Sequence, residues 1–235
     1  MELDKLKQQR FAEQLLEIKA FKRFPWFIPY VPKDYDNGYK KLLLVWESYY
    51  HTKGEGELYE KAREWYDLDK KDESNKEMLA LWEKEKNNYW KKHWNFKCKI
   101  DKNGYDKKGS TFLNPERVLK EISGSGDPYG FCAGYNYFLR PAPPKEKKKR
   151  YEFKREDADE KYAFDAFCEI VRVIKPEFIV FFSKKARESF EKMLEKNNKN
   201  INVPIKNLKH PSSSWWYRKN CPQELKTFLS NWKKQ

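Results

Sequence analysis

Leu42-Leu43-Leu44-Val45-Trp46-Glu47-Ser48-Tyr49-Tyr50-His51 is an unbroken apolar run that ends in polar and aromatic residues. A short continuous run of this kind suits a strand covered on both faces, as in a parallel sheet, rather than a half-exposed one. Phe178-Ile179-Val180-Phe181-Phe182 reads the same way, Tyr129–Phe138 reads as a further strand, and Val203–Lys209 as the last. Helical patterns lie between them. Asn114–Ile122 has Asn114 as N-cap and Pro115 at the first helical position, residues 158–174 and 184–197 follow, and Pro222–Lys233 closes the chain. Strands alternating with helices predict an α/β fold: three α/β/α layers around a central, mostly parallel sheet of about four strands. In such sheets, polar groups just past the carboxyl ends of strands converge on one crevice. Two of the three histidines, His51 and His210, stand at those ends.

The length of 235 residues suits a single domain, 1–235. Residues 1–24 carry apolar positions near a helical period, and Pro25, Pro29 and Pro32 then break the pattern. Residues 55–97 are charged, rich in tryptophan and helical in spacing, with Trp65, Trp82, Trp90 and Trp94 among them. This stretch reads as a helical insertion, either a cap that meets DNA or a protein partner, or an accessory layer whose aromatics pack.

Net charge is +14, which favours a polyanion as partner, because each phosphate neutralised by Lys or Arg releases counterions. A lysine-biased composition produces such a charge without a partner, so both readings stand. No run approaches the roughly 18 apolar residues of a membrane span, and the N-terminus is charged and amphipathic. The expectation is a soluble cytoplasmic protein, nucleoid-associated if bacterial, with no membrane partner. Cys98, Cys132, Cys168 and Cys221 have no metal-ligand spacing, so no metal is expected.

Several motifs together resemble the uracil-DNA glycosylase superfamily. His210-Pro211-Ser212 is similar to that family's His-Pro-Ser motif after the last strand. Trp46–His51 resembles the water-activating motif after the first strand, Gly-Gln-Asp-Pro-Tyr-His in its best-known branch. Asn136, with Arg140-Pro141 and Pro143-Pro144, resembles the Asn strand and Arg-Pro-Pro loop of the thermophilic branch, and Phe112 falls at the base-stacking Phe. The resemblance covers residues 41–51 and about 109–232. Among its departures, Ser48 replaces the catalytic Asp, Glu47 the Gln and Trp46 the Gly. The thermophilic branch's iron–sulfur cysteines are not matched, since Leu139 stands in the loop and Cys168 alone cannot hold a cluster, so no cofactor is expected.

The resemblance implies a DNA glycosylase that flips out a uracil-like or modified pyrimidine and hydrolyses its N-glycosidic bond, leaving an abasic site. A modified cytosine such as phage DNA carries, and hence anti-phage defence, falls within that expectation. His210 would donate to the pyrimidine O2 as the base leaves, or else caps the last strand as a structural residue. Glu47 would activate water, or bond nearby backbone N–H groups; Ser48 with a backbone carbonyl could hold the water instead. Asn136 would read the base edge, Tyr50 wall off its 5-position, Phe112 stack on its face, and His51 orient water or touch a phosphate; Tyr50 and Phe112 also suit core positions, and His51 the surface. Ser212, Ser213 and Ser214 would bond phosphates while Trp215 and Trp216, with Arg218, fill the gap in single- or double-stranded DNA. The alternative is a catalytically inactive protein that keeps the fold and binds DNA.

Overall fold

The strand order β2-β1-β3-β4, with every neighbouring pair parallel, places the first strand inside the sheet. The protein is seen here as a computed structural model that describes residues 9–23, 25–50, 62–67, 110–142 and 155–234. In chain order the elements are α1 (Ala12–Leu16), α2 (Lys19–Arg23), β1 (Leu42–Tyr50), α3 (Ala62–Asp67), α4 (Ser110–Ser123) and β2 (Cys132–Ala142). They continue with α5 (Asp157–Ile174), β3 (Phe178–Phe181), α6 (Lys184–Lys196), β4 (Ile205–Asn207), α7 (Trp215–Arg218) and α8 (Cys221–Phe228).

Pleat alternation explains why the run at 42–46 is apolar throughout. Leu43 and Val45 face one layer, where Phe21, Trp65, Phe164, Phe167 and Phe190 pack from α2, α3, α5 and α6. Leu42, Leu44 and Trp46 face the other, with Leu119 from α4, Trp216 from α7 and Leu225 from α8. The sheet therefore has helices on both faces, which is the α/β architecture expected.

Element boundaries differ from the sequence reading for local reasons. α4 begins at Ser110, four residues early, so Pro115 lies inside the helix and Asn114 is not its cap. Pro115 has no N–H to give the Thr111 carbonyl. The first turn is held instead by Phe112, whose ring packs on Trp46 (centroids 5.3 Å) and whose carbonyl accepts from the Tyr129 hydroxyl (2.6 Å). Asp127-Pro128 opens a 3-10 turn over Pro128–Phe131, which delays β2 to Cys132. β2 then runs on through Arg140 and Pro141; as an edge strand it tolerates a proline. α8 stops at Phe228, and Trp232 pins the end by donating from Nε1 to the Lys40 carbonyl (2.7 Å). The N-terminal pattern forms two short helices with a break at Glu17 and Ile18, not one.

Of the stretch 55–97, residues 62–67 are described. Trp65 and Tyr66 are buried there, and Tyr66 stacks on Tyr162 with ring centroids 4.4 Å apart and planes at 6°. This part packs as an accessory layer. Trp82, Trp90 and Trp94 lie outside the described residues.

Candidate functional site

In the order β2-β1-β3-β4 the chain leaves β1 in opposite directions, so the switch point lies between β1 and β3. A crevice outside the carboxyl ends of those strands is where open α/β sheets bind ligands. Trp46, Glu47 and Ser48 lie at the end of β1, Phe182 and Ser183 just after β3, and His210 after β4. With neighbouring strands about 4.8 Å apart, β1 and β4 stand about 10 Å apart.

Strand alternation separates Glu47 from Trp46 and Ser48. Trp46 is buried between Phe112 (5.3 Å) and Phe182 (5.2 Å) and is in register with Asn136 on β2. Asn136 is half-buried there, and no described residue bonds its amide. Glu47 instead faces the α6 layer, where its Oε2 accepts from the Ser183 hydroxyl at 2.7 Å. Ser183 is the N-cap of α6, accepting from the Ala186 N–H at 3.2 Å. Its carboxylate is thus held by a side-chain hydroxyl at a helix N-terminus, a partner the run 42–51 does not contain. Ser48 is 5% exposed, and its Oγ has no hydrogen-bond partner among the described residues.

His210 is half-buried, and burial holds its pKa below the ordinary imidazole value. Its Nδ1 accepts from the Ser212 backbone N–H at 3.3 Å, with the Ser212 hydroxyl at 2.8 Å. A nitrogen that accepts a backbone N–H carries no proton, so in the neutral ring the proton sits on Nε2. The imidazole is thereby a neutral donor rather than a cation.

The segment after His210 divides differently from the sequence reading. Trp215 is 49% exposed and Tyr217 59%, whereas Trp216 is fully buried with its ring 5.9 Å from Phe182. Trp216 is therefore a core residue, and its expected DNA contact is corrected. One turn of helix turns residue 216 inward and 215 and 217 outward, which a consecutive aromatic triplet does not reveal. The guanidinium of Arg218 and the ammonium of Lys219 each lie 5.5 Å from the Trp215 ring. Of the serines, Ser212 is engaged with His210 and Ser213 accepts from the Trp215 N–H (3.2 Å), so their hydroxyls serve the turn itself. Ser214 is exposed and its side chain caps nothing.

Phe112 is half-buried against Trp46. Tyr50 ends β1 in register with Ala142, and nothing further is described of its side chain; His51 lies outside the described residues. Arg140, quoted for its loop, is 1% exposed and bidentate to Asp159, with Nε to Oδ1 at 2.9 Å and Nη2 to Oδ2 at 2.6 Å. It is a structural tie between β2 and α5. Cys132 and Cys221 are buried and Cys168 half-buried, and burial raises all three thiols, Cys168 to about 11.

Two participants escaped the sequence reading. Ser183 shows only as a helix cap after β3. Asn114 reads as a cap, yet its Nδ2 donates to the Pro211 carbonyl at 2.6 Å and its Oδ1 accepts from the Tyr217 hydroxyl at 2.9 Å. After β4, residues 208–223 contain no Asp or Glu, while Lys209, Arg218 and Lys219 are exposed.

Fold and site together define an α/β protein whose parallel strands are followed, at their carboxyl ends, by polar side chains and by the exposed cations Lys209, Arg218 and Lys219. No family model matches the chain, and no curated protein matches it. Among the described residues no helix is long and apolar enough to cross a membrane.

Proposed function

We propose that the protein is a DNA glycosylase that takes a uracil-like or modified pyrimidine, a modified cytosine included, out of the stack and hydrolyses its N-glycosidic bond. Bond cleavage develops positive charge on the sugar and negative charge on the base; water then adds to the sugar, and the base leaves with a proton. The observation that carries this reading is the neutral His210, whose Nε2–H is free of the Ser212 bonds and suited to the oxygen of a departing base. Asn136, on the strand beyond β1, has an amide that offers both a donor and an acceptor to a base edge. Ser48, whose buried hydroxyl has no partner among the described residues, is the group assigned here to hold the attacking water. Glu47 contributes negative charge near the sugar from its bond with Ser183. Trp215, beside Arg218 and Lys219, supports the DNA contact, since aromatic stacking and cations bind unpaired nucleotides together.

A second reading, a protein that binds DNA on this fold without cutting it, is favoured by the engagement of Glu47 with Ser183, which turns the carboxylate towards α6. One panel separates the two. Single- and double-stranded oligonucleotides carrying uracil, hypoxanthine, hydroxymethylcytosine or glucosylated cytosine are incubated with the protein, and alkali-labile sites are scored. Base release from any pyrimidine substrate is the expected result. Salt-sensitive binding without release from any of them would leave the binding reading.

A further inference from the structure

The Pro211–Ser212 peptide unit is bonded at both ends. Its carbonyl accepts from Asn114 Nδ2 at 2.6 Å, and its N–H donates to His210 Nδ1 at 3.3 Å. C=O and N–H of one trans peptide are coplanar and point in opposite directions, so a grip on one sets the aim of the other. We propose that Asn114 is a positioning residue that fixes the tautomer of His210 through this peptide, with Tyr217 as the outer end of the relay.

The amide orientation of Asn114 is settled by its partners. A carbonyl oxygen only accepts, so Nδ2 faces Pro211 and Oδ1 is left to accept from the Tyr217 hydroxyl. Pro211 is buried and has no N–H of its own, so its carbonyl is its sole polar backbone group. Hydrogen bonds in series polarise one another. Tyr217 to Asn114, Asn114 to Pro211 and Ser212 to His210 therefore reinforce a ring with Nδ1 bare and Nε2 protonated. Pro115 adds a reason for Asn114's place: the helix around it is interrupted in its backbone bonding, and the side chain ties that turn to the loop carrying His210. The Tyr217 ring is 59% exposed, so the relay runs from the surface of α7 to the imidazole.

The functional meaning rests on His210 as the donor, but the test does not use base release. Long-range proton–nitrogen NMR spectra of the 15N-labelled protein at pH 8 report the tautomer of each neutral histidine, and His210 is assigned by its loss in His210→Ala. The wild type is expected to show the Nε2–H pattern. Asn114→Leu, of similar shape and with no donor, is expected to lower the ratio of Nε2–H to Nδ1–H about fivefold, the size of one neutral hydrogen bond. Asn114→Ser, too short to reach Pro211, carries the same expectation if the leucine variant does not fold. Tyr217→Phe removes only the outer bond and is expected to lower the same ratio, by less than Asn114→Leu does. An unchanged ratio in a folded Asn114 variant, or an Nδ1–H pattern in the wild type, overturns the proposal. Absence of base release by the wild type would count against the glycosylase reading alone.

Discussion

A proton on Nδ1 would cost His210 the Ser212 N–H bond that orients its ring, and burial disfavours that charged state. The unfolded chain takes up a proton near pH 6.5, while the folded one resists until lower pH. Two outcomes follow from that sign. Base release stays level as pH falls past about 6.5 and declines only below the depressed folded value, which a pH–rate profile reads. Folding stability falls over the same window as pH is lowered from about 6.5, because the unfolded state binds the proton first, and denaturation midpoints at several pH values check it. The neighbouring tryptophans separate surface from core. Trp216→Ala is expected to cost about 3–5 kcal/mol of stability, the usual price of emptying a fully buried aromatic site. Trp215→Ala should leave the melting temperature nearly unchanged and weaken oligonucleotide binding, by about 1–3 kcal/mol if the ring stacks on a base. Equal effects of the two on stability would contradict the division.

Among the elements, β2 and α5 are joined by the buried Arg140–Asp159 pair, with the Tyr66 hydroxyl of α3 accepting from the Arg140 N–H at 3.3 Å. Removing one member strands the other charge, so Asp159→Ala is expected to destabilise by about 3–5 kcal/mol in chemical denaturation. Strand existence was legible in the runs at 42–46 and 178–182, since only a sheet covered on both faces needs such unbroken apolar stretches. Boundaries were not. The 3-10 turn at Pro128 and the early start of α4 depend on Tyr129 and Trp46, which reach Phe112 from distant sequence. The site was legible to the same extent. His210 and its bonding partner Ser212 are two residues apart in sequence, and the local motif shows them. The Glu47–Ser183 bond spans 136 residues and the Asn114–Pro211 bond 97, so neither could be seen before the chain was folded.

For the whole molecule, the parallel sheet brings four strand ends to one edge, and the run from 208 to 223, after β4, brings positive charge to it without acids. Three exposed cations there, Lys209, Arg218 and Lys219, predict a log–log slope of binding against salt of about −2 to −3. Replacing all three with Ala should flatten it, as fluorescence anisotropy with a labelled oligonucleotide would show; an unchanged slope would move the DNA surface elsewhere. The central claim is that His210 assists departure of a base. Its most direct measurement is the single-turnover rate of base release by the wild type and by His210→Ala, on a substrate the wild type cuts, with binding of that substrate measured alongside. Loss of one aimed donor is expected to slow release by about 10²–10³-fold while binding is retained. Release at the wild-type rate by the folded His210→Ala variant would contradict the account.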